Sequence, residues 1–181
     1  MRLMYLLIIA AANILTAKFS PFVLFGGLVI VPVGSVLVGA SFMQRDIVQV
    51  KHGKRKTYHT ILAALVLSAV ISAALGDTIH VAAASAMAFF VSEAIDTEIF
   101  TRLRRSIVNR VLLSGLVGGT VDSAIFVIFG LGPVGAGVLT WEQVPFAIIG
   151  QTAVKAVVQI VAVMAARSRL RLLMEVKNES C

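Results

Sequence analysis

The chain has one cysteine, four prolines, one tryptophan and only nine aspartates and glutamates in 181 residues. Each scarcity removes a class of protein. The single cysteine, Cys181, cannot form a disulfide framework or a cysteine-rich metal site. The three histidines, His52, His59 and His80, stand near connectors, and none pairs at the i, i+4 spacing of a helical zinc motif. There is no Walker-type glycine loop and no GxSxG nucleophile elbow, so neither a metal nor a nucleotide cofactor is expected.

Charge is the largest deficit. Charged residues make up 14% of the chain against 59% hydrophobic, and the mean hydropathy is +0.96, far above the range of water-soluble domains. Apolar runs, each near the ~20 residues that a bilayer crossing needs, follow one another with short connectors. The expectation is an all-α, polytopic membrane protein of one domain over 1–181. Its spans are read at 3–17, 33–50, 58–75, 79–100, 107–129 and 144–168. Between the first two, KFSPFVLFGGLVIVPVGS carries Pro21, Gly26-Gly27 and Pro32, which argue for a loop or re-entrant segment. The first span also has the basic start and apolar run of a signal peptide, but Leu15 stands where a cut after Ala17 wants a small residue.

The positive charges are periodic along this plan. Lys51, Lys54, Arg55 and Lys56 follow the second span, Arg102, Arg104 and Arg105 the fourth, and Arg167, Arg169, Arg171 and Lys177 the sixth, while the alternate connectors hold only Lys18. The positive-inside rule then puts both termini in the cytoplasm. The net charge of +7 is therefore topology, and nucleic acid is not expected as a partner.

What remains is polarity within the spans. At 100° per residue, Ser85, Phe89, Ser92, Glu93, Asp96 and Phe100 share one face of the fourth span. Glu98 points away and stands four residues before Arg102, a structural ion-pair spacing. On the fifth span Gly115, Gly118, Gly119, Asp122, Phe126 and Phe129 form a stripe with Ser123 at its edge, and Gly115 and Gly119 form a small-xxx-small packing pair. On the sixth, Gln151 and Lys155 lie one turn apart, with Gln159 beside them. An ionised group at a helix centre costs about 2.5–3.5 kcal/mol, so Glu93, Asp96, Asp122 and Lys155 together would cost roughly 10 kcal/mol against lipid. They must face one another or a cavity. Three acids against one base also suggest a polar ligand, a cation or a proton.

These residues resemble the vitamin uptake transporter (VUT) family, in particular its queuosine-precursor branch. The resemblance is carried by Asn13, Lys18, Gly34, the Phe42...Asp46 element, SAMAFFVSEAIDTEIFTRLRR (85–105), Arg110 with GGTVDSAIF (118–126), and GQTAVKAVVQ (150–159). It implies a six-helix bundle similar to the S components of energy-coupling factor transporters. It also implies uptake of preQ0 or preQ1, both 7-deazaguanines, across the inner membrane. One element departs: where the family usually has Phe-Pro-x-Thr-Phe-x-x-Thr-Asp-x-x-x-Glu, this chain reads VLVGASFMQRDIVQ, with Arg45 before Asp46 and Gln49 near the place of the acid. Arg45 and Asp46 are compatible with a cytoplasmic-end pair.

A 7-deazaguanine offers N–H donors to a carboxylate, needs donors for its carbonyl and ring nitrogen, and has a flat face for stacking. The expected substrate contacts are therefore the acceptors Glu93, Asp96 and Asp122, the donors Lys155, Gln151 and Asn13, the aromatics Phe89 and Phe126, and Asp46 from the second span. The expected function is a carrier rather than an enzyme. An S component lending itself to a separate ATPase module is the alternative, although the first span has no Ala-x-x-x-Ala docking pair. A membrane-embedded enzyme or a small ion channel would draw on the same carboxylates. Assembly into a homo-oligomer stays open. The face assignment predicts that Asp96→Asn and Lys155→Ala abolish uptake without loss from the membrane fraction, whereas Glu98→Gln leaves uptake unchanged, as measured by solute accumulation.

Overall fold

A computed structural model describes residues 1–24, 29–76 and 79–179. The chain folds as α1 (Arg2–Lys18), a hairpin of β1 (Phe22–Leu24) and β2 (Val29–Val31), α2 (Ser35–Leu75), α3 (Ile79–Arg102), α4 (Ile107–Phe126) continued by a π turn (Val127–Leu131), and α5 (Val144–Glu179). Among the described residues, four helical segments are long and apolar enough to cross a membrane: Ser35–Leu75, Ile79–Arg102, Ile107–Leu131 and Val144–Ser168. The expected second and third spans are the two arms of α2.

The arms meet at Gly53, whose φ of 80° and ψ of 165° interrupt the helix. The contacts of α1 give their directions. The Gln44 amide donates to the carbonyl of Met1, while a Cβ on Gly34 would overlap Ala12 and Thr16, so α1 runs antiparallel to the first arm. Tyr5 packs with Ile61 and the Asn13 amide donates to Ser68 Oγ at 2.8 Å, so α1 runs parallel to the second. The chain therefore reverses at Gly53. Gly76, left-handed at φ 78°, ends α2, and Ser106 caps α4 by accepting from the Asn109 N–H at 3.4 Å.

The segment read as a loop or re-entrant stretch contains instead a short antiparallel ribbon, with Phe22 opposite Val31 and Leu24 opposite Val29. Its β-branched flanks favour that pairing. The Gly26-Gly27 pair lies outside the described residues, as does Cys181. Phe129, expected on the buried stripe of the fifth span, is 46% exposed. The π turn is the reason, because its i→i+5 bonds change the helical phase beyond Phe126.

The distribution of polarity is inverted relative to a water-soluble bundle. Leu7, Leu62, Val66, Val70, Phe90, Leu113, Ile149 and Val161 are exposed, whereas Arg45, Asp46, Glu93, Asp96, Gln151 and Lys155 are buried. This is the arrangement that hydrocarbon demands, with apolar surface outward and the charges of the helix interiors turned to protein. Small residues let the helices close around those charges. A Cβ on Gly118 would stand 2.9 Å from Asp96 Cβ, one on Gly39 would stand 2.8 Å from the Lys155 carbonyl oxygen, and one on Gly115 would overlap the Gln159 amide.

The backbone at Gly53 lies where essentially only glycine is stable, so Gly53→Ala is expected to cost about 1–3 kcal/mol. A lowered unfolding midpoint in detergent micelles is the check.

Candidate functional site

A cavity of about 100 Å³ opens among α1, both arms of α2, α3, α4 and α5 at the end that carries the β-hairpin. That volume holds several water molecules or part of a small solute. Two aromatic rings, Phe89 and Phe126, line it, together with the amides of Asn13 and Gln151 and the hydroxyls of Ser35, Ser68 and Ser85. Its charged members are Asp122 and Lys155. The ammonium of Lys155 donates to Asp122 Oδ2 at 2.6 Å and to Ser123 Oγ at 2.8 Å, and Ser92 Oγ lies 3.4 Å from the other oxygen of Asp122. The pair thus presents a fixed donor and a fixed acceptor side by side at the wall of a mostly apolar site.

Arg45 makes a second ionic cluster, deeper in the bundle. Its guanidinium is 1% exposed and engages every nitrogen: Nε faces Glu93 Oε2 at 3.1 Å, and Nη2 reaches Asp46 Oδ1 at 3.0 Å and the carboxylate of Asp96. Nη1 donates to Gln49 Oε1 at 3.1 Å and to Thr97 Oγ1 at 2.9 Å. Gln49 in turn donates to Thr101 Oγ1 at 2.8 Å, and Tyr5, fully buried, stands beside Glu93. The fork geometry of arginine suits this task, since a lysine could not face three carboxylates and two neutral acceptors at once.

The nine residues expected at the site therefore divide. Asn13, Phe89, Asp122, Phe126, Gln151 and Lys155 line the cavity. Asp46, Glu93 and Asp96 do not; they are the anions of Arg45. Arg45 and Asp46 do pair, but as part of this wider knot rather than as an isolated pair at a helix end. The charge balance also changes, from three acids and one base to four acids (Asp46, Glu93, Asp96, Asp122) and two bases (Arg45, Lys155). Among the described residues no three side chains are placed to hold a metal ion.

The helical phase read for α3 is the observed one. Ser92, Glu93, Asp96 and Phe100 are buried, while Glu98 is 36% exposed, 2.6 Å from Lys54 Nζ and 3.7 Å from Arg102 Nε, and accepts from the Tyr58 hydroxyl. On α5 the buried stripe passes through Gln159, whose amide donates to the Val111 carbonyl at 2.6 Å. Arg110 donates twice to the Phe100 carbonyl and lies over the Phe100 ring, fastening α4 to the end of α3. Ser35 and Ser68 are cavity residues that the sequence reading does not single out, although Ser68 and Ser72 stand one turn apart in the apolar part of the second arm, while Ser85 lies on the face already read for α3. Arg45 had a clearer signal, an arginine inside an apolar run with a glutamine four residues on.

Removing one partner of a buried ionic cluster costs about 3–5 kcal/mol, whereas a partly exposed pair contributes less than about 1 kcal/mol. Arg45→Gln is accordingly expected to lower the unfolding midpoint in detergent far more than Lys54→Gln.

A family model described as "Putative vitamin uptake transporter" matches residues 69–167, from the last part of α2 to Arg167 within α5, and this stretch includes Asp122, Lys155 and the α3 carboxylates. No curated protein and no solved structure matches the chain. With more than half of its length matched, and with apolar helices enclosing a polar cavity, this multi-pass membrane protein belongs to the vitamin uptake transporter family.

Proposed function

We propose that the chain imports a small, flat, nitrogen-rich heterocycle, a 7-deazaguanine precursor of queuosine, across the inner membrane. The observation that carries this reading is the pairing, in one cavity, of two aromatic rings with the adjacent Asp122 carboxylate and Lys155 ammonium. A deazaguanine stacks its ring on Phe89 or Phe126, donates its N–H edge to Asp122, and accepts from Lys155, Gln151 and Asn13. Asp46, Glu93 and Asp96 stand outside this cavity as the anions of Arg45 and do not touch the bound solute.

In this proposal the chain crosses the bilayer six times, with α1 and the two arms of α2 as the first three passes. The basic connectors and both termini face the cytoplasm. The cavity then opens toward the outside, where an importer first meets its solute. The excess of buried carboxylates over bases supports coupling to protons, since a bound proton offsets an uncompensated charge. The carrier works without an ATPase module.

The test is the queuosine content of tRNA in a bacterial strain that makes no 7-deazaguanines, lacks its own importer and energy-coupling modules, and is fed preQ0 or preQ1 at low concentration. Expression of the chain is expected to restore queuosine. A charge-assisted hydrogen bond contributes about 1.5–3 kcal/mol, so Lys155→Ala should lower the uptake rate tenfold or more. No queuosine from either precursor, with the protein present in the membrane, would overturn the substrate assignment.

A further inference from the structure

A second cavity, of about 180 Å³, lies toward the basic end of the bundle and is lined by Gln49, Val50, Gly53, Lys54, Phe100 and Arg110. The Arg45 knot stands between it and the cavity described above, and two helices give that order independently. Along α2, Ser35 and Val38 line the first cavity, Arg45 and Asp46 form the knot, and Gln49, Val50 and Gly53 line the second. Along α3 the order is Ser85 and Phe89, then Glu93, Asp96 and Thr97, then Phe100 and Thr101. Gln49 belongs to the wall of the second cavity and accepts from Arg45 itself; Ser92, one residue before Glu93, lies against Asp122 in the wall of the first. The knot thus touches the wall of the second space through Gln49 and adjoins, through Ser92, the Asp122 that lines the first, while its own guanidinium is 1% exposed.

We propose that the second cavity is the exit half of the solute path and that the Arg45 guanidinium is the barrier between the two halves. This rests on the carrier reading above, but not on the identity of the solute. The chemistry suits a barrier that must open repeatedly. Apolar side chains packed across the path would exclude water and stay shut, whereas a guanidinium held by α2 and α3 exchanges its α3 partners for water or solute when the helices part. Asp46, on the same helix, stays with Arg45 as the contacts to Glu93, Asp96 and Thr97 open. The polar rim of the second cavity, with Gln49, Lys54 and Arg110, receives a hydrated solute.

The test uses the full chain with Cys181→Ser as background and one new thiol at a time, Val50→Cys in the second cavity or Ser85→Cys in the first. A membrane-impermeant maleimide is applied to intact cells and to inverted vesicles, without solute. With Arg45 present, Val50→Cys is expected to react only from the face that carries the basic connectors, and Ser85→Cys only from the opposite face. Adding Arg45→Gln, or the milder Thr97→Val, which removes the 2.9 Å bond to Nη1 without changing charge, should make Val50→Cys react severalfold faster from the opposite face. Labelling of Val50→Cys from both faces with Arg45 intact, silence from both, or no increase in the folded Thr97→Val variant would overturn the proposal. Because no solute is present, a failure of the deazaguanine assignment appears only in the queuosine assay and leaves this result unaffected.

Discussion

The guanidinium of Arg45 is the interaction on which the interior depends. It joins neighbouring positions on α2 to three positions on α3 and, through Gln49, reaches Thr101 a further turn along. Three carboxylates buried this closely repel one another and are poorly solvated, and the guanidinium between them offsets that repulsion where α2 and α3 pack. The rest of the bundle is arranged to permit that approach. Gly118 leaves room for Asp96 and Gly39 for the backbone of Lys155, so α4 and α5 close on the same region that α2 and α3 fill with charge.

Lys155 and Asp122 form a smaller version of the same arrangement with a different consequence. Their pair is held by Ser123 and faced by Ser92, but one side is open to the cavity, so its donor and acceptor are available to something other than protein. The contrast follows from the side chains. Arginine's planar fork has its directions consumed by five partners in the knot, whereas the lysine ammonium is a compact point charge that can redirect a proton toward a solute.

Much of this was legible in the sequence, and what was missed has identifiable physical causes. The apolar runs and the 3.6-residue phase of α3 placed Glu93 and Asp96 inward and Glu98 outward, because an amphipathic pattern survives in single residues when charges are so few. The stripe on α4 was legible as far as Phe126, and failed at Phe129 because a π turn is set by backbone hydrogen bonding that no residue type announces. The division of the acidic residues between cavity and knot could not be read, since it depends on how deep Arg45 sits relative to α3. That depth is a tertiary fact, as are the reversal at Gly53 and the close passage of Gly34 against α1. Reading Arg45 as a departure from a pattern drew attention to the right residue without revealing its partners.

The reversal at Gly53 also bears on how the molecule sits in the bilayer. Lys51, Lys54, Arg55 and Lys56 crowd the turn, and four cations resist passage through hydrocarbon. In the six-pass arrangement proposed above, the two arms form a helical hairpin whose tip stays out of the hydrocarbon. Asp46 is next to Arg45 in the chain and pairs with it within α2, so this anion is beside the guanidinium independently of how α3 packs. The adjacency gives the arginine one counter-charge from its own helix, and Glu93 and Asp96 of α3 supply the other two.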